Sequence, residues 1–178
     1  MTSQELLTDV DTRLTALTTR LEAAFGKLSD TEMNAPIPPS NWSPAQIVEH
    51  LMLTNAPYLS AVPAVLTNAA KGGDQPAVFT WFGKFLMNAG GPGGNAPAPK
   101  ALHPTPGPKD RSILTANEAQ AKEFAALRAQ MVGLDLGRTR VNNPFMKIFR
   151  MTLADFLQVS ALHTERHIAQ IEAALPKG

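Results

Sequence analysis

The sequence predicts an all-α protein: a four-helix bundle that runs up-down-down-up, with a long crossover between its second and third helices. Apolar residues recur at three- and four-residue steps in four separate segments, which is the pattern of one helix face. No segment alternates at two-residue steps, so no sheet is expected. A proline- and glycine-rich stretch at residues 68–110 separates the second helical segment from the third, and parallel consecutive helices require such a crossover.

The first predicted helix begins after Thr2, because Thr2 and Glu5 have the spacing of a capping box. Its leucines follow at heptad-like steps, and the helix is expected to end near Gly26. Residues 29–41 contain three prolines and are predicted to form a loop.

The second predicted helix covers residues 44–67, and Ser43 with Gln46 has the spacing of its capping box. Pro57 and Pro63 lie inside this segment. Each removes a backbone donor, which predicts a kink beside the first proline or an early end of the helix.

The crossover contains an apolar insert at residues 78–87. Such a segment has no place in a solvated linker. It is expected to pack on the bundle as a short helix, to line a pocket, or to join a subunit interface, which leaves a homodimer as one alternative. His103 lies between prolines in the same crossover and is expected to be exposed.

The third helix is predicted to start between Ser112 and Asn117, with Thr115 and Glu118 as a cap pair, and to end at Gly133. The last helix is capped by Thr152 and Asp155 and ends before Pro176. The connection before it carries four basic residues, which are Arg138, Arg140, Lys147 and Arg150. These charges are either simply solvated or form the rim of an anion-binding site.

Three of the four histidines lie on inward helix faces. His163 and His167 are one turn apart on the stripe of the last helix, and His50 lies on the stripe of the second. Side chains four residues apart on a helix are neighbours, so these imidazoles can converge on a divalent metal. Their meeting requires antiparallel second and last helices, which together with the loop lengths gives the up-down-down-up order. Hydrogen-bonded core histidines are the alternative.

Groups one turn from these histidines are candidates to support them: Gln46, Thr54 and Gln170. Gln46 is also expected to cap its helix, and Arg166 to pair on the surface. No catalytic residue or general base is assigned, because the neighbouring glutamates point off the stripe. Three histidines leave a coordination position open, which predicts an exchangeable water in a pocket between the second and last helices.

Composition narrows the class of protein. The 178 residues suffice for one domain, residues 1–178, with a sizeable core. The net charge of +1 argues against a nucleic-acid or membrane-surface binder. The chain has no cysteine, which excludes disulfides and thiolate ligands. No signal peptide or membrane span is visible, so a cytoplasmic protein is expected.

Two motifs carry a resemblance to a known family. A capped helix with Trp-Ser-x-x-x-x-x-x-His-Leu is followed by a final helix with His-Thr-Glu-Arg-His-Ile-Ala-Gln-Ile. Together they resemble the DinB-like (DinB/YfiT) superfamily, from the first helix to residue 175 and excluding the crossover. The resemblance implies a four-helix bundle whose metal is held by His50, His163 and His167.

The resemblance also implies the activity of a metal-dependent enzyme on a small-molecule substrate. The implied reactions are thiol-dependent S-transfer or isomerisation, with a low-molecular-weight thiol as co-substrate, and hydrolysis. The ligand type suits zinc, nickel or iron. Two alternatives remain: a non-catalytic bundle that binds metal or a small ligand as a sensor or carrier, and a structural dimer with three ordinary core histidines.

Overall fold

The computed structural model describes residues 1–175, which are mostly helical with one small antiparallel sheet. The helices in this range are α1 (Ser3–Phe25), α2 (Asp30–Met33), α3 (Pro44–Leu66), α4 (Trp81–Gly90), α5 (Ser112–Ala129) and α6 (Leu153–Ala173). The strands are β1 (Arg140–Asn142) and β2 (Arg150–Thr152), and a 3-10 turn covers Lys100–Leu102. None of the helices described is both long and apolar enough to cross a lipid bilayer.

The small sheet corrects the all-α prediction. Strands β1 and β2 pair with Val141 opposite Met151, and both of these side chains are buried. A three-residue strand contains too few positions for an alternating pattern to be recognised in the sequence. The strands form because Val141 and Met151 pack into the core formed by the helices.

Three helices start where the sequence predicted. Capping boxes are present at Thr2, Ser43 and Thr152, and each side chain accepts a hydrogen bond from the backbone three residues later. The first helix ends at Phe25 with Gly26 as its cap, as predicted. These boundaries depend on chemistry within one turn of the chain, which is why the sequence alone locates them.

Other boundaries differ from the prediction. Residues 29–41 are not all loop, because Ser29 and Glu32 form a capping box that starts α2. Helix α5 begins at Ser112 without a side-chain cap, so the predicted Thr115–Glu118 cap pair is wrong. That helix also ends at Ala129, four residues before Gly133.

Helix α3 continues through both internal prolines to Leu66, so the predicted early end is wrong. Tyr58 and Val62 lie between the two prolines and are buried in the core. Their packing holds this half of the helix in place despite the backbone hydrogen bonds that the prolines remove.

The long helices contact one another through two clusters of buried apolar residues. Helix α1 packs against α5 and α6, and α3 packs against the same two helices. One cluster is built around Tyr58 and Phe156, and the other around Phe25 and Ile47. The contact of α3 with α6 is the one that brings the inward histidines together.

The apolar insert packs as a short helix, α4, against α6. The N-cap Thr80 donates to the buried Asp155 carboxylate through its backbone N–H, at 3.0 Å, and through its hydroxyl, at 2.7 Å. The buried Phe82 stacks on Phe149 with ring centroids 4.4 Å apart. A Cβ atom on Gly83 would lie 1.9 Å from Asp155 Oδ1, so only glycine permits this close approach.

Candidate metal centre

The structure brings His50 of α3 together with His163 and His167 of α6. The Nε2 atom of His163 lies 3.4 Å from His50 Nε2 and 3.2 Å from His167 Nε2. One ligand nitrogen from each residue lies within 4.8 Å of the other two. His50 and His167 are only 2% and 5% exposed, so little water reaches their rings.

Hydrogen bonds on the far side of two rings fix which nitrogen carries the proton. His50 Nδ1 lies 2.7 Å from the Leu102 carbonyl oxygen, and His167 Nδ1 lies 2.7 Å from Gln170 Oε1. Both oxygens can only accept, so each Nδ1 is the donor. The neutral rings of His50 and His167 therefore direct the lone pairs of Nε2 towards His163.

The three Nε2 atoms at the centre of the cluster have too few hydrogens for all of them to be hydrogen-bonded. His163 Nε2 can carry one hydrogen, and that hydrogen can serve only one of the two lone pairs that face it. A cation in the centre would satisfy all three nitrogens at once. Tetrahedral zinc with nitrogen at about 2.0–2.1 Å separates its ligands by about 3.3–3.4 Å, which is close to the 3.4 and 3.2 Å between His163 Nε2 and the other two Nε2 atoms. The donor set therefore fits a divalent metal.

The electrostatics of the site favour the same neutral state. Burial lowers the pKa of His167 to about 3, with His50 and Arg166 contributing in the same direction. Burial also lowers the pKa of His163 well below its usual range and that of His50 more modestly. Neutral imidazole is the form that binds metals, so no proton must be displaced at neutral pH.

A cavity of about 840 Å³ opens beside the three histidines. Its walls come from α3, α4, α6, the crossover and the turn between the strands. Several large apolar side chains line it: Trp42, Phe85, Leu86, Phe145 and Met146. The sequence predicted a pocket between the helices that carry the histidines, and the structure adds α4 and the crossover as further walls.

The three residues predicted to support the histidines make different contacts in the structure. Gln170 contacts His167 directly. Thr54 lines the cavity and donates its hydroxyl to the His50 carbonyl, so it does not touch an imidazole nitrogen. Gln46 caps α3 and donates to the Thr105 carbonyl.

The cavity lining includes the fourth histidine but none of the four basic residues that precede α6. His103 lines the cavity but is exposed, with its Nε2 3.0 Å from the Ala98 carbonyl oxygen, and it is not part of the cluster. The four basic residues before α6 are exposed, and none of them lines the cavity. They do not form the rim of this site.

Two contributors were not predicted. The Leu102 carbonyl comes from the 3-10 turn of the crossover, and a backbone acceptor has no signature in sequence. Arg166 was expected to pair on the surface, but it lines the cavity and donates to the Ala89 carbonyl at 3.4 Å. Its position three residues after His163, on nearly the same side of the helix, was the signal that could have placed it there.

Contacts with α3 hold the crossover in place near Leu102. Glu49 of α3 accepts from the backbone and the hydroxyl of Thr105, at 3.1 and 2.9 Å, and pairs with Lys109 at 2.9 Å. These contacts lie next to His50 in the chain. They anchor the segment whose carbonyl orients the His50 ring.

The sequence model of the DinB superfamily matches residues 13–171, which include all three clustered histidines. No curated protein and no solved structure matches the chain significantly.

Proposed function

The chain belongs to the DinB superfamily, and from that membership and the histidine geometry we propose that it is a metal-dependent enzyme acting on a small molecule. His50, His163 and His167 would hold one divalent ion of zinc, nickel or iron. The observation that carries this proposal is the pair of Nε2 lone pairs, each fixed by a hydrogen bond at Nδ1, that face a third imidazole nitrogen.

Three neutral ligands suit a catalytic site better than a closed structural one. Within residues 1–175, no cysteine, aspartate or glutamate joins the cluster, so a fourth protein ligand is lacking. A divalent ion held this way supplies Lewis acidity and lowers the pKa of a water or thiol that occupies the open position. Leu102 and Gln170 would orient the ligands, and the apolar walls would limit access of water.

The reaction class we propose is thiol-dependent S-transfer or isomerisation, or hydrolysis. The absence of cysteine is consistent with a low-molecular-weight thiol supplied from outside. The cavity of about 840 Å³ is within the range of small-molecule sites and is large enough for a thiol and a second substrate side by side.

A panel of electrophiles, assayed with and without low-molecular-weight thiols, tests this proposal on metal-loaded protein. Turnover by the parent protein is expected to fall to background in His167→Ala, because two ligands cannot hold the ion in an open site. His103→Ala is the matched control, since it removes a cavity histidine outside the cluster. Equal turnover by the parent protein and His167→Ala would refute the enzyme proposal.

A non-catalytic metal or ligand carrier is the second candidate. It is favoured by one observation: among residues 1–175 no carboxylate lines the cavity, so none of them supplies an acidic general base beside the histidines. Metal binding that is lost in His167→Ala, with the parent protein inert across the panel, would support the carrier. Folded protein that binds no metal would instead leave the histidines with a structural role.

We infer further that the four long helices form a single-domain four-helix bundle in the up-down-down-up order. The contacts of α1 and α3 with both α5 and α6 support it, as does the long crossover between α3 and α5. Long-range amide distances measured by NMR would test the helix directions. A cytoplasmic location and a homodimer remain predictions.

A further inference from the structure

Among residues 1–175, Arg166 is the one formally charged side chain that lines the cavity beside the histidines. The described part of the lining also includes four neutral histidines, but no aspartate and no glutamate. The three acids of the helix that carries Arg166 make their contacts elsewhere: Asp155 accepts from Thr80 at 3.0 and 2.7 Å, Glu165 pairs with Arg13 at 2.9 Å, and Glu172 pairs with Arg20 at 2.6 Å. Both of those pairs join α6 to α1. Thus no acid of α6 within the described range neutralises Arg166.

Arg166 lacks a charged partner among residues 1–175. Its one hydrogen bond in this range is the 3.4 Å contact with the Ala89 carbonyl, which engages a single nitrogen of the guanidinium. The remaining N–H donors of the planar fork are available for a carboxylate. A partly buried cation with free donors at a cavity wall matches a ligand that brings its own negative charge.

The rest of the wall is apolar. Phe85 and Leu86 of α4, with Phe145 and Met146 from the turn between the strands, line the cavity. Apolar walls with a few placed polar groups are typical of sites that bury the body of a small ligand and fix one end of it. The wall therefore selects for an apolar body, and Arg166 for an anionic end.

We propose that this cavity takes a small organic carboxylate with an apolar body, and that Arg166 binds its carboxylate group. The proposal rests on the proposed function in that the rest of the ligand would lie against His50, His163 and His167, where chemistry would occur. A divalent ion on three neutral histidines adds positive charge to the same cavity, so a cationic ligand is disfavoured. Arg166 is a binding and positioning residue in this account.

Fluorescence of Trp42 offers a direct binding assay. Trp42 lines the cavity, and its ring centroid lies 4.9 Å from that of His50. The chain has two tryptophans, and Trp81 is 69% exposed and does not line the cavity. A Trp81→Phe background therefore leaves Trp42 as the only reporter. The probes are hexanoate, hexanamide and hexylamine, which share a chain length and differ in charge.

In chelator-treated protein, hexanoate is expected to bind about tenfold more tightly than hexanamide, and hexylamine more weakly still. Arg166→Gln should bring hexanoate to within about threefold of hexanamide. Arg13→Gln is the matched control, because it removes a charge paired with α6 outside the cavity, and it should leave the preference intact. Arg166→Lys keeps the charge without the fork and should retain part of the preference.

Equal affinity for hexanoate and hexanamide in the background protein would overturn the proposal, and this result requires no Arg166 variant to fold. An unchanged preference in folded Arg166→Gln would overturn the role of Arg166. Metal titration of the same samples separates the two hypotheses. Metal binding without a charge preference refutes the carboxylate site alone, whereas a charge preference without metal binding refutes the metal-dependent function alone.

Discussion

Gln170→Leu should weaken metal binding without unfolding the protein. Gln170 Oε1 accepts from His167 Nδ1 at 2.7 Å, and this contact keeps the Nε2 lone pair free and the ring oriented. Without the acceptor, the imidazole can move its proton to Nε2 and rotate. Loss of such a supporting hydrogen bond typically costs 10–100-fold in metal affinity, which corresponds to about 1.4–2.7 kcal/mol.

Competition with a chromophoric chelator measures the zinc affinity of each variant, and thermal unfolding of the metal-free proteins measures stability. Gln170→Glu retains an acceptor and adds a negative charge, so its affinity should equal or exceed that of the parent protein. Thr2→Ala is the control, because Thr2 caps α1 through Glu5 and contacts neither an imidazole nor the crossover beside Leu102. It should lower the unfolding temperature and leave zinc affinity unchanged.

Equal zinc affinity in Gln170→Leu and the parent protein would refute the reasoning, because the tautomer of His167 would then not depend on Gln170. A matching loss of affinity in Thr2→Ala would also refute it. That result would mean that the measured effect follows general stability rather than the hydrogen bond at Nδ1.

Two further predictions concern stability. Burial lowers the pKa of His167 from about 6.5 to about 3, so near pH 5 the unfolded chain binds a proton that the folded chain does not. Metal-free protein should therefore lose about 2 kcal/mol of unfolding free energy from this residue between about pH 7 and about pH 5. Urea denaturation measures this loss, and an unfolding free energy that does not change with pH would contradict the neutral cluster. Gly83→Ala would place a Cβ 1.9 Å from Asp155 Oδ1, so it should detach α4 and speed proteolytic cleavage there. Exposed Lys84→Ala in the same helix should not.

Local signals made part of the fold predictable. The capping boxes at Thr2, Ser43 and Thr152 depend on residues three positions apart, and the structure contains all three. The capping box of Ser29 and Glu32 carries the same signal, but the nearby prolines favoured a loop interpretation. Strands that form only through tertiary packing left no local pattern.

The candidate site was predictable to the extent that helix periodicity determines it. Helix periodicity placed His163 and His167 one turn apart on one inward face and His50 on another, and the structure brings the three together. The acceptor that orients His50 is the Leu102 carbonyl, whose position depends on the path of the crossover. Arg166 lies near the edge of the stripe, where a surface position and a cavity wall have the same sequence pattern.

Metal stoichiometry tests the central claim most directly. Protein purified without a histidine tag should bind one divalent ion per chain, and His163→Ala should bind none with comparable affinity, because His163 Nε2 is the atom that both other histidines face. Circular dichroism should show that the variant retains its helices. Folded parent protein that binds no zinc, nickel or iron at equimolar concentration, or His163→Ala that binds the ion as tightly as the parent, would contradict a three-histidine metal centre.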